Sequence, residues 1–398
     1  MHRWLQLHRR HCRFNTPFRR VFSTSSAIDS VEVRCGSSGH VTVDLHNLGN
    51  LQHDEPILIH LPPLPAHPGA QSKLPDFLQG LPVASIRYRW DGLSGTAPAL
   101  LDSDKPSSAQ WPAPVHDTAF AYTWLSENFA PGNCARRGVY VYGSFLGASM
   151  ATSLALTEAH PHARFAVRGF MAYNGIYNWT MFLPDHRINR PTTRGSKSIM
   201  PPQPREGSPL QFLQEQMPGL FGRPTHLFDA FASPSLLFHS PGLIVPRSFT
   251  MTVAEAAAID AMVGKEADPA FAVKTPRKSR LVFPPRKSTL KLPEALLMYD
   301  SNPIPLTATG KPSKRKPKAA GNSFQAQAAE LGELMRRSVE AVELKERVKW
   351  DDDIQDLAGE AERRVQMLDI GQGSLDHEMS AAGQEAALKW LKDRDLGA

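Results

Sequence analysis

Two hydrophobic rhythms alternate along this chain, a period of two and a period near 3.6, and their order predicts its elements. Ser30 to Cys35 and His40 to Leu45 alternate apolar and polar residues around Gly36-Ser37-Ser38-Gly39. Val31 and Val33 on one arm and Val41, Val43 and Leu45 on the other give each a buried face, as in a hairpin. Pro56 to Leu61 is apolar without a break, which fits a strand covered on both faces. A short helix is expected over Lys73 to Leu81 and a strand over Val83 to Trp90. From Pro114 to Phe129 the rhythm becomes helical through Val115, Ala119, Tyr122, Leu125 and Phe129, with proline near the start. Val139 to Tyr142 reads as a strand, Ala148 to Glu158 as a helix and Phe165 to Tyr173 as a strand. Strands and helices alternating at these lengths predict an α/β fold with a mostly parallel sheet and helices on both faces.

The rhythm lapses between residues 180 and 290, where proline and basic residues accumulate. Only Leu210 to Gln216 and Val253 to Val263 look helical there. Pro269 to Pro293 holds seven Lys/Arg and no acid. Leu292 to Tyr299 then reads as a core strand, and Pro303 to Asn322 as a basic, low-complexity, disordered loop. A helix follows from Ser323 to Val348, with Phe324, Ala328, Leu331, Met335, Val339 and Val342 on one face and Ser323 as its cap. Asp351 to Asp353 ends it, and a last strand (Arg363 to Ile370) and an amphipathic helix (Ser380 to Leu391) complete the pattern.

Composition changes the picture chiefly at the N-terminus. The first 22 residues contain Arg3, Arg9, Arg10, Arg13, Arg19 and Arg20 and no acid, and a hydroxyl-rich stretch follows them. These are the marks of a mitochondrial presequence over 1–22, with the matrix as destination. The formal charge of +6 equals those six arginines, so removing them leaves a nearly neutral protein and weakens the case for nucleic acid. Cys35 and Cys134 have no spacing that implies a disulfide framework or a zinc site. No apolar run of membrane-spanning length occurs.

The candidate chemistry centres on Gly143-Ser144-Phe145-Leu146-Gly147, between a strand and a helix of small residues. A nucleophile elbow has this build, with its serine between the two glycines. Phe145 stands at that centre, and Ser144 lies one place early. Ser144 serves as a nucleophile only if the turn shifts by one residue; otherwise its hydroxyl is structural. Dinucleotide and phosphate-loop spacings are absent from this turn. His160 and His162 have no nearby carboxylate or cysteine to complete a metal site, and Asp351 to Asp353 lacks the glycine and distal glutamate of a calcium loop. No cofactor is expected.

Ile57-Leu-Ile-His60, Ala84-Ser-Ile-Arg-Tyr-Arg89, Pro112-Ala-Pro-Val-His-Asp117 and the elbow, in that order, resemble the esterase/lipase branch of the α/β-hydrolase superfamily. The resemblance covers residues 30 to 180 best, and implies an α/β-hydrolase fold with a lid or cap insertion. The chain then divides into core over 23–180, cap over 181–290 and core again over 291–398, with the basic loop at 303–322. It also implies an oxyanion loop after His60, where active relatives carry His-Gly-Gly. This chain has His60-Leu61-Pro62-Pro63, and a proline has no N–H to donate. His60 itself is expected to be a strand-end histidine satisfied by backbone. The resemblance places the acid at Asp300 and the base at His377, although Asp376-His377-Glu378 also reads as a solvated helix start.

These observations predict a divergent member without the usual nucleophile. Gly143, Phe145, Leu146, Gly147 and His60 would frame the former pocket, and Ser144, Asp300 and His377 are the candidate catalytic groups. The expected function is binding of a small apolar ligand or a protein partner. Two other readings stay open: a serine carboxylesterase or thioesterase using Ser144, and an RNA- or ribosome-associated accessory protein using the basic segments.

Overall fold

The computed structural model describes residues 28–49, 51–52, 54–65, 73–93, 109–132, 135–189, 207–245, 276–301, 321–345, 359–371, 377–394 and 396. The expected presequence, the helix at Val253 to Val263, Asp351 to Asp353 and nearly all of the 303–322 loop lie outside the described residues.

Among the described residues eight strands form one sheet: β1 (Asp29–Arg34), β2 (His40–His46), β3 (Ile57–Leu61), β4 (Val83–Arg87), β5 (Arg137–Ser144), β6 (Phe165–Tyr173), β7 (Glu294–Tyr299) and β8 (Val365–Asp369). Their order is β1-β2-β4-β3-β5-β6-β7-β8. The β1–β2 and β2–β4 pairs are antiparallel, and every later pair is parallel. This mostly parallel order, with the exchange of β3 and β4, is that of the α/β-hydrolase fold. β3 is buried at every residue, its polar His60 included, as a strand covered on both faces requires.

The long helices are α1 (Ala113–Phe129), α2 (Phe145–Glu158), α3 (Pro209–Phe221), α4 (Phe324–Ser338) and, after the short α5 (Glu360–Arg364), α6 (Ala381–Lys392). α2 and α4 pack on one sheet face, α1 lies beside α2, and α6 covers the other face with the turn Asp76–Leu78. Phe145 to Leu156 of α2 are all buried, and its many small residues let sheet and neighbours come close on every side.

Three expectations are corrected. The helix expected over Lys73 to Leu81 is one 3-10 turn, because Pro75 and Gly80 bound it closely. The strand expected from Arg363 starts at Val365, since Arg363 and Arg364 close the α5 turn. The helix from Ser323 keeps its cap, Ser323 Oγ accepting from the Ala326 N–H, but loosens into a π-helical stretch at Val339–Leu344.

The motifs behind the resemblance are joined physically. Asp117, on α1 and fully buried, accepts from the backbone N–H of Arg89 at 2.9 Å and from its guanidinium at 2.9 and 2.6 Å. The strand-end arginine and the helix-start carboxylate thus fasten α1 to the end of β4.

Candidate functional site

The elbow is built as its glycines demand. A Cβ on Gly143 would lie 2.3 Å from the Gly147 carbonyl oxygen, and one on Gly147 would lie 2.3 Å from the carbonyl oxygens of Leu61 and Pro62. Strand, helix and the loop after β3 therefore meet at distances that only glycine permits. Phe145 occupies the apex with φ 50°, a left-handed conformation rare for a bulky residue.

The Phe145 side chain is buried and offers no lone pair. Its ring meets the edges of Tyr173 at 6.2 Å, Phe324 at 5.5 Å and His377 at 4.3 Å between centroids. His377 is half-buried against Phe145, with its own φ at 59°, and α6 begins only at Ala381. The reading of 376–378 as a solvated helix start therefore fails at His377. Glu378, in contrast, is exposed and pairs with Lys73 at 3.0 Å.

Asp300 lies one residue beyond β7. Its carboxylate accepts from the Tyr173 hydroxyl at 3.0 Å and the Asn174 amide at 2.6 Å. Burial raises its pKa, the Asn174 and Tyr173 hydrogen bonds oppose that rise, and Asp369 adds to it. Tyr173 thereby links Asp300 to Phe145, so the acid, base and apex positions do converge. They converge around an aromatic ring.

Ser144 is buried as the last residue of β5, on the strand face shared with Tyr142. Its side chain hydrogen-bonds to the Tyr142 hydroxyl. Tyr142 in turn stacks on His60, with 5.8 Å between centroids and 12° between planes, and meets the Phe77 edge at 5.1 Å. The expectation that backbone satisfies His60 is corrected: its Nδ1 lies 3.0 Å from the Ser85 hydroxyl, and Nε2 is buried without a hydrogen bond. Burial, helped by His46, pushes the His60 pKa down to about 3, so this Ser–His pair holds a neutral imidazole and a poor base.

Oxyanion stabilisation in this fold uses the N–H of the residue after the nucleophile. That residue is Leu146, and its N–H donates to the Pro63 carbonyl at 3.2 Å. The Tyr88 hydroxyl donates to the Pro62 carbonyl at 2.9 Å, fixing the same loop. The loop after β3 thus supplies acceptors where acyl transfer needs donors.

Sequence reasoning missed Tyr173, Asn174 and Phe324, which arrive from the ends of other elements. It also missed a buried polar cluster nearby. The Gln327 side chain accepts from the backbone N–H groups of Tyr177 and Asn178 at 3.0 and 2.9 Å. One turn further along α4, Glu330 accepts from the Asn178 amide at 2.8 Å, with His239 Nε2 at 3.3 Å and Lys278 Nζ at 3.6 Å. Burial alone would raise the Glu330 pKa, but His239, Asn178 and Lys278 outweigh it and bring it down to about 2. No spacing in the sequence links these residues. Glu330 borders the apolar stripe of α4, which was the one available signal.

No protein-family model matches the chain, and no curated protein matches its sequence. Solved structures similar to it include the hyperthermophilic esterase from the archaeon Pyrobaculum calidifontis, at 11% identity over 93% of this chain and 83% of that one, with a TM-score of 0.43. Carboxyl esterase 2 from the mycorrhizal fungus Tuber melanosporum is similar at 12% identity, over 95% and 88% of the two chains, with a TM-score of 0.44. A bacterial heroin esterase is similar at 11% identity, over 94% and 85%, with a TM-score of 0.43. Among the described residues, no helix is long and apolar enough to cross a membrane.

Proposed function

We propose that this chain is a mitochondrial protein that keeps the α/β-hydrolase scaffold for binding and does not hydrolyse esters or thioesters by the usual triad. The observation that carries the reading is the closure of the elbow: Phe145 at the apex, with the next N–H spent on the Pro63 carbonyl. Both changes act on the same step. An acyl group would find neither an attacking oxygen nor a free oxyanion donor, and losing one donor alone costs on the order of a hundredfold to a thousandfold in rate. The Asp300 carboxylate, committed to Tyr173 and Asn174, adds to the case.

On this reading the described residues between β6 and β7 form a cap over the former pocket, and its occupant is a small apolar ligand or a protein partner. Its inner side supports this, with Phe221 meeting Trp90, Trp111 and Trp179 in one aromatic cluster. A fluorophosphonate probe and a short-chain nitrophenyl ester test the inert elbow. Neither labelling nor turnover is expected. Labelling that disappears in Ser144→Ala would overturn the reading in favour of a serine esterase. The placement in mitochondria rests on the acid-free, arginine-rich residues 1–22. A reporter carrying those residues should enter mitochondria, and one left in the cytosol would remove that part.

A further inference from the structure

Residues 238–242 and 276–282 run side by side as a short antiparallel ribbon. The Ser240 N–H donates to the Ser279 carbonyl at 2.8 Å, the Leu281 N–H to the Phe238 carbonyl at 2.8 Å, and His239 pairs with Arg280 across the bridge. Its underside is anchored. Phe238 meets the edge of Phe283 at 5.1 Å, the Ser338 hydroxyl donates to the Phe283 carbonyl, and His239 and Lys278 reach Glu330 on α4.

The outer side is exposed over seven consecutive residues, 276–282. Leu281 is 50% exposed and Val282 57%, and Ile244 and Val245 are exposed at the opposite end of the ribbon. Arg277, Arg280, Arg286, Lys287 and Lys291 accompany them, and neither 238–245 nor 276–293 contains an acid. Single exposed aliphatics are ordinary surface, whereas adjacent ones held outward by an anchored ribbon among cations ask for a partner both anionic and apolar. A lipid headgroup layer above acyl chains is such a partner. RNA would offer phosphates but needs aromatic faces for its bases, and the one aromatic of the stretch, Phe283, is buried.

We propose that this ribbon docks the protein on a bilayer surface carrying anionic phospholipid, with Leu281 and Val282 entering the boundary between headgroups and acyl chains and the flanking cations meeting phosphates. This does not depend on whether the elbow is inert. The test is sedimentation of the full chain with phosphatidylcholine vesicles, with and without phosphatidylglycerol, across a salt series. Binding is expected only with phosphatidylglycerol and should weaken as salt rises. Arg277→Gln and Arg280→Gln should each weaken it on the order of fivefold. Leu281→Ser with Val282→Ser should lower binding at every salt concentration. All four positions are exposed, so thermal midpoints should not move, and the basic residues 1–22 are common to every variant. The proposal is overturned by no vesicle binding, by equal binding to neutral vesicles, by variants that bind like wild type, or by salt-sensitive capture of RNA or an acidic polypeptide in place of vesicles.

Discussion

At the scale of the residue, Phe145 holds a strained backbone conformation and a buried, three-sided aromatic contact together. Phe145→Ser would put a hydroxyl at the apex yet leave the Leu146 N–H on Pro63 and Asp300 on Tyr173, so no ester turnover above background is expected. Phe145→Ala should cost about 3 kcal/mol or more through the cavity it opens, read as a lower urea midpoint. The glycine spacing around the apex and the prolines after His60 were legible in the sequence, because each is a local backbone requirement. The ring's neighbours were not. Tyr173, Phe324 and His377 come from three distant segments, and no periodicity connects them. His60 misled for a related reason: a strand-end position invites a backbone partner, whereas the parallel neighbours of β3 offered a serine and a tyrosine.

At the scale of the element, the sheet was readable nearly strand by strand, since its buried strands are continuous apolar runs between glycines and prolines. The segment after β6 was not, because 3-10 turns such as Trp179–Phe182, Pro224–Phe228 and Pro234–Leu237 leave no helical or alternating rhythm. α3 was foreseen for half its length, Pro218 masking a helix that runs on to Phe221. It docks through a crossing of backbones: a Cβ on Gly219 would lie 2.2 Å from the Gly92 carbonyl oxygen, and one on Gly92 2.3 Å from the Gly219 carbonyl. The Trp90 indole N–H donates to the Leu220 carbonyl at 2.8 Å across that crossing. Gly219→Ala should therefore lift α3 from the core while sparing the sheet. Tryptophan emission should shift to the red and near-ultraviolet dichroism weaken, with far-ultraviolet dichroism almost unchanged. Unchanged tryptophan spectra would refute the tight crossing.

At the scale of the whole molecule, the buried ionisable groups set how the fold meets acid. Burial lowers the His60 pKa to about 3, and burial with Lys278, Arg187 and His239 lowers that of His186 to about 4 despite the pull of Glu330. An unfolded histidine titrates near 6.5, so between that pH and its folded value the unfolded chain binds the extra proton and stability falls with pH. Glu330, brought down to about 2 by its partners, acts in the same direction from about pH 4.5 downwards. Glu158 opposes them. Burial raises it to about 7, so lowering the pH from 7 to about 4.5 favours the folded state, offsetting one of the two histidines. Below about pH 4.5 that offset is spent while His60 and Glu330 still titrate, so stability should fall most steeply between about pH 4.5 and 3. Each uncompensated proton contributes about 1.4 kcal/mol per pH unit. Urea midpoints collected across pH should show this break. Glu158→Gln should steepen the profile between about pH 6.5 and 4.5, and His60→Leu should flatten it by about one proton from about pH 6.5 down to about 3. A His60→Leu profile parallel to wild type down to pH 3 would mean that the imidazole beneath the elbow is not held neutral, and the Ser85–His60 pair would then have to be reconsidered as a base.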